Sequence, residues 1–180
     1  MSAGKRVKTS FDILNYEDIR QILFQIFDKY NCLNHLDDFV VNKTFFVLKE
    51  KFNQVFMIRD DIKKVSNFIN DLSNLGFFPY SIGVPIVIYR DKSKVSPTIA
   101  FGKYLVNICS NKIIINDERI LYKITYGKSV IIDRRFPYRY AIISDNLDNF
   151  IAYSKVVRLS NGKSEVIPTK DIGWYLRKGG

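Results

Sequence analysis

Apolar positions near the start of the chain recur at helical spacing. Ile19, Ile22, Leu23, Ile26, Phe27 and Tyr30 fall three and four apart, the stripe of an amphipathic helix. Asn15 stands at the N-cap position, and Glu17 and Asp18 suit the first turn and its dipole. The pattern predicts a helix over residues 16–30. A second stripe, Ile62, Val65, Phe68, Ile69 and Leu72, starts at Asp60 or Asp61 and stops at Gly76, a residue that suits a helix C′ position. Between them, 39–41 and 44–48 are β-rich runs joined by Asn42-Lys43, a candidate two-residue hairpin turn. Residues 55–58 predict another short strand. Residues 77–90 are extended but punctuated by Pro79, Gly83 and Pro85, which predicts a broken or edge strand. Residues 91–96 form a polar turn, and 98–108 predict a long strand bent at Gly102.

The texture changes after Ser110. Short β runs at 112–115, 129–132, 140–143, 152–158 and 165–167 alternate with turn residues, and one short helix fits between Asp117 and Tyr122. Many short strands at close spacing predict a small barrel or sandwich. The chain therefore divides near 108–112. An α+β unit with a mostly antiparallel sheet covers 1–109, with a basic tail at 1–10, and a β-rich unit covers 110–180.

Composition narrows the function. The 180 residues are 47% hydrophobic and 26% charged, an ordinary globular balance that excludes disordered and fibrous classes. The net charge of +10 favours a polyanionic partner, since neutralising phosphates releases counterions. It is unevenly spread. Residues 1–109 carry 15 Lys/Arg against 11 Asp/Glu, and 110–180 carry 13 against 7. The basic surface belongs mainly to the second unit. Cys32 and Cys109, far apart in sequence, make neither a disulfide framework nor a cysteine-only zinc site, and His35 is the one histidine. Zinc catalysis and a histidine triad are disfavoured, and both thiols are expected free. No run approaches the roughly 18 apolar residues of a membrane span, and no apolar segment follows the basic start. The expectation is a soluble, intracellular protein.

Enzyme signatures do not emerge. The phosphate loop, the dinucleotide fingerprint and the serine elbow are all missing. Asp37-Asp38 reads as a solvated loop and Asp60-Asp61 as a helix cap. Cys32 and His35, three apart, read better as a core cysteine beside an exposed histidine than as a nucleophile pair. The basic residues are more informative. Arg134, Arg135 and Arg139 crowd one loop, Lys155 and Arg158 share a predicted strand, and Arg177-Lys178 lie at the end. Their odd spacing puts Lys155 and Arg158 on opposite faces unless a bulge intervenes. Tyr126, Phe136, Tyr138, Tyr140, Tyr153, Trp174 and Tyr175 interleave with them. Most belong in a barrel core, with two or three exposed. Cations beside exposed rings suit RNA, whose phosphates are neutralised and whose unstacked bases stack.

Two motifs carry a family resemblance. Asp171-Ile172-Gly173-Trp174-Tyr175-Leu176-Arg177 resembles the closing strand of PUA domains, the RNA-binding module of pseudouridine synthases and archaeosine transglycosylases. Tyr126-Gly127-Lys128-Ser129-Val130 resembles the glycine loop after the first PUA helix. With an α+β unit ahead of them, they make the chain similar to the pre-PUA/PUA factors of large ribosomal subunit biogenesis, the nuclear import protein seven family. The resemblance implies an α+β fold, an N-terminal antiparallel sheet with helices followed by a C-terminal PUA-like β pseudobarrel. It implies a non-catalytic protein with no cofactor, metal, membrane or small-molecule substrate. It would bind single-stranded, uridine-rich pre-rRNA through the PUA half and other assembly factors through the N-terminal half. The expected compartment is the cytoplasm, or the nucleolus in a eukaryote. The expected RNA contacts are Gly127, Lys128, Arg134, Arg135, Lys155, Arg158, Arg177 and Lys178. Two other readings stay open: an adaptor for an acidic protein partner, and an accessory module of an RNA-modifying enzyme.

Overall fold

A computed structural model describes residues 11–59, 62–77, 79, 81–174 and 177. The tail at 1–10, Asp60, Asp61, Tyr175 and Lys178 lie outside the described residues. The chain forms two compact units, one of residues 1–23 and 37–98, the other of 24–36 and 99–180. The division thus falls between Thr98 and Ile99 rather than near 110, and the second unit includes an early segment. Side-chain packing and bonding explain that inclusion. Phe27 lies 6.4 Å from Phe101 and Tyr30 lies 5.4 Å from Tyr153, centroid to centroid. Cys32 is bonded to Cys109 in a disulfide with its Cα atoms 4.6 Å apart. The free-thiol expectation is therefore wrong. Distance in sequence does not prevent pairing once the fold brings the two Cα atoms within disulfide reach. Cysteine usage no longer argues for a reducing compartment.

The predicted first helix is α1, Tyr16–Lys29. Asn15 caps it, its Oδ1 accepting from the Asp18 N–H at 2.8 Å. Its whole predicted stripe is buried. In the first unit, α2 (Leu36–Val40), β2 (Thr44–Leu48), β3 (Asn53–Ile58), α3 (Ile62–Asn74), β4 (Val84–Tyr89) and β5 (Val95–Pro97) follow β1 (Phe11–Ile13). The sheet runs β1-β2-β3-β4-β5, antiparallel throughout. Three expectations fail here. Residues 39–41 are not a strand, because Leu36, Phe39 and Val40 are buried at helical spacing at the end of α2. Asn42-Lys43 does not turn a hairpin; Asn42, with φ 60°, follows the helix end. Asp37 is not a loop carboxylate either. It sits in the first turn of α2 and accepts from Tyr16 Oη at 2.7 Å and Arg20 Nε at 2.9 Å. Of the described residues in 77–90, only Val84–Tyr89 is strand; β4 is broken rather than an edge, being interior with an extra residue, Ile86, next to Pro85 where the register with β3 shifts.

In the second unit, 98–108 is α4 (Ile99–Ile108), not a strand. Phe101, Gly102, Leu105 and Val106 are buried four apart in pairs, a helical period that outweighs the β-branched composition. Gly102 makes no bend: a Cβ there would come within 2.4 Å of the Phe150 ring. After α4 come β6 (Lys112–Ile114), α5 (Glu118–Thr125), β7 (Val130–Ile132), β8 (Tyr140–Ser144), β9 (Phe150–Arg158) and β10 (Ser164–Asp171). They make a curled sheet in the order β6-β8-β9-β10-β7, with β6 parallel to β8 and the other pairs antiparallel. Ile113, Ile124, Val130, Phe136, Ala141, Ile143, Val156 and Val166 fill its core. The α+β class, with an antiparallel sheet first and a curled β sheet second, is the one the sequence predicts. Among the described residues, no helix is long and apolar enough to cross a membrane.

Candidate nucleic-acid interface

α5 begins where Asp117 accepts from the Arg119 N–H at 2.8 Å. Its inward face carries the fully buried Ile124. Its other face carries Arg119, Tyr122 and Lys123, all exposed, spaced three and four apart with Tyr126. The rings of Tyr122 and Tyr126 lie 4.5 Å apart, tilted by 35°, and are 62% and 51% exposed. The Tyr126 hydroxyl beside it raises the Tyr122 phenol above its ordinary pKa.

The helix ends at Gly127, whose φ of +72° lies in the left-handed region. The Gly127 N–H donates to Ile124 O at 2.9 Å and the Lys128 N–H to Lys123 O at 3.0 Å. This reversal folds Lys128 back toward the tyrosines. Glu118, Arg119, Tyr122, Lys123, Tyr126 and Lys128 line a cavity of about 470 Å³. Three cations surround two rings there, with one carboxylate.

The turn is held from below by the motif at 171–177. Asp171 is 2% exposed and receives both terminal nitrogens of Arg177, Nη1 at 3.0 Å and Nη2 at 2.7 Å. Arg177 Nη1 also donates to Thr125 O, the last residue of α5. The Asp171 carboxylate holds the Arg177 pKa above its ordinary value. A Cβ on Gly173 would strike Thr125 O at 2.0 Å, so a glycine is required for this approach. The closing motif therefore clamps the end of α5 and the Gly127 turn.

A second groove, of about 380 Å³, opens at the N-terminal end of α5. Ile114, Asn116, Ile120, Ile132, Arg134 and Tyr138 are among its walls. The Tyr138 hydroxyl donates to Lys112 O at 2.9 Å, and burial raises its pKa. Arg134 lies over the Phe136 ring at 5.4 Å.

The expected contacts thus separate. Gly127 and Lys128 are at the tyrosine cavity, and Arg134 is at the groove. Arg135 is exposed but lines neither. Arg158 is committed elsewhere: its Nε donates to Phe136 O at 3.0 Å and its Nη2 to Pro137 O, pinning the loop between β7 and β8. Lys155 is half-buried and opposite Tyr140 in the sheet, and the register runs unbroken from it to Arg158, so the two face opposite ways. Arg177 is occupied by Asp171, and Lys178 lies outside the described residues. Of the interleaved aromatics, Tyr126 and Trp174 are exposed, Phe136 and Tyr153 are buried. Arg119, Tyr122 and Lys123 were not singled out by sequence. Their signal is the amphipathic period of α5, whose polar face carries two cations and a ring.

No protein-family model matches the chain, and no curated protein does. A solved structure of a conserved PUA domain protein from Thermoplasma acidophilum is similar to it with a TM-score of 0.54 at 13% identity, covering 94% of this chain and 99% of that one. The likeness is one of fold, spanning both units.

Proposed function

We propose that this chain is a non-catalytic protein that binds single-stranded RNA on the surface of α5. The observation that carries the reading is the exposed Tyr122–Tyr126 pair set among Arg119, Lys123 and Lys128. Unstacked bases pack on such rings while cations neutralise the adjoining phosphates. The PUA-type fold of a solved neighbour supports it. On this reading the chain serves large ribosomal subunit assembly by binding pre-rRNA. The first unit then meets other assembly factors, and the exposed Phe68, Leu75 and Phe77 in and just after α3 offer apolar surface for that contact.

The test is fluorescence anisotropy with labelled single-stranded RNA. Tyr122→Ala with Tyr126→Ala is expected to weaken binding by about 1–3 kcal/mol per stacked base, with the fold intact because both rings are exposed. Equal affinity of wild type and double variant removes the reading.

A further inference from the structure

We infer that the open seam between β6 and β7 is a base-reading pocket, taking one unpaired nucleotide of the RNA that the proposed function places on α5. β6 and β7 are the two edges of the curled sheet and do not pair. The β6–β8 ladder fixes which groups face the seam. Asn111 O accepts from the Ile142 N–H at 2.8 Å, and the Ile115 N–H donates to Ser144 O at 2.9 Å. By strand alternation the N–H and C=O of Ile113 point to β8, and those of Lys112 and Ile114 point away from it. Lys112 O receives Tyr138 Oη, and the Lys112 N–H donates to Ser110 O at 2.8 Å. Ile114 is left presenting one donor and one acceptor side by side at the groove it lines.

A single donor–acceptor pair matches one edge of one nucleobase. It is too little for strand addition by a peptide, which draws its affinity from a row of backbone bonds. The groove's roughly 380 Å³ lies at the small end of ligand pockets, the scale of a nucleotide. Ile120, Ile132 and Tyr138 supply apolar and aromatic wall for a base, and the exposed Arg134 suits its phosphate. Exposed Asn116 adds an amide that can reach a base edge. The position is contiguous with the tyrosine cavity along one short helix: Asp117 and Ile120 border the groove, Glu118 and Arg119 the cavity. Phosphates and stacked rings alone read little sequence. The seam supplies the missing selectivity.

The experiment measures affinity of the full chain for labelled U, C and A homopolymers, with Asn116→Ala, which removes the base-edge amide, and Ile114→Trp, which plugs the groove from an exposed position. Both variants are expected to lose about tenfold in affinity for the preferred homopolymer and to flatten the preference among the three. Tyr122→Ala is expected to weaken all three alike. Asn116→Ala keeps the test open should Ile114→Trp alter folding by circular dichroism. In parallel, uridine, cytidine and adenosine monophosphates are titrated against the isotope-labelled protein, with the Ile114 amide shifting for one base above the others. Unchanged preference in both variants, while the tyrosine variant weakens binding, overturns the pocket and leaves the RNA reading standing. Absence of RNA binding by the wild type overturns both. An Ile114 amide that shifts with a short Thr-Val repeat peptide and with no nucleotide reassigns the seam to strand addition.

Discussion

Asp171 and Arg177 form a two-pronged ion pair whose carboxylate is almost wholly buried and whose guanidinium also reaches the last carbonyl of α5. The pair ties the end of the chain to the turn that carries Lys128. It makes Arg177 a fastening for the site rather than a contact in it.

Arg177→Ala leaves a buried carboxylate unpaired. Asp171 is 2% exposed and the Arg177 side chain 31% exposed, so removing the guanidinium strands a desolvated carboxylate and destabilises the fold. The expected outcome is a urea midpoint lowered accordingly, with Asp171→Asn milder because no stranded charge remains. An unchanged midpoint for Arg177→Ala means that the clamp holds nothing.

Gly127→Val is expected to destabilise the chain and weaken RNA binding together. A β-branched residue at φ +72° adds about 1–2 kcal/mol of strain, and a Cβ there meets Arg177 Nη2 at 3.1 Å. Thermal unfolding and anisotropy on the same sample check both. Wild-type values in each detach this turn from the site.

The salt dependence of RNA binding locates the phosphates. For single strands, log K falls with log salt at about −0.7 per neutralised phosphate. Changing Arg119, Lys123 and Lys128 to Ala is expected to remove about two units of slope. Changing Lys155 and Arg158 is expected to leave the slope alone, with Arg158→Ala costing stability through the loop that it pins. The reverse pattern moves the RNA path onto β9.

The disulfide spans 77 residues of sequence. Replacing Cys32 and Cys109 together by Ala is expected to lower stability by about 2–4 kcal/mol, and dithiothreitol to lower the midpoint of the wild type but not of the double variant. Equal response to the reductant in both proteins counts against the bond in solution.

Acid should loosen the first unit. Hydrogen bonds from Tyr16 and Arg20 hold Asp37 below its ordinary pKa of 3.8, and one from Lys92 does the same for Asp18. The folded values lie below the unfolded ones, so these pairs contribute stability above the unfolded pKa and lose it as pH falls through the folded one. Stability from them is flat from neutrality down to about pH 5 and declines below about pH 4. A urea series against pH shows this, and Asp37→Asn is expected to blunt the decline.

Long periodic stretches were the legible part of the sequence. α1 and α3 follow their patterns closely and β7, β8 and β9 fall within two residues of theirs, because burial on one face imposes a period, whereas β10 runs Ser164–Asp171 where only 165–167 is expected. The errors fall on short or mixed windows. α2 is five residues long, and its Leu36, Phe39 and Val40 fit a strand fragment as readily as a helical turn. In α4, a run rich in β-branched and aromatic residues hides a four-residue repeat. The site was legible in its loop, where Gly127 and Lys128 stand out as turn and charge. It was not legible on α5, where Tyr122 becomes notable only once its exposure is known. Nor does charge alone tell Arg134 from Arg158, since only the fold shows which guanidinium is spent on carbonyls.

The second unit is assembled from two stretches of chain separated by 37–98. Synthesis proceeds from the N-terminus, so residues 24–36 emerge long before α4, Cys109 and β9, which hold the partners of Phe27, Cys32 and Tyr30. At roughly 5–20 residues per second, translating 37–98 imposes a wait of about 3–12 s. The first unit is complete in sequence only at Thr98, as that wait ends, and can close while 99–180 is still being made. The nascent chain meanwhile carries unshielded aromatics and an unpaired thiol in its middle, so its most vulnerable interval comes halfway through translation.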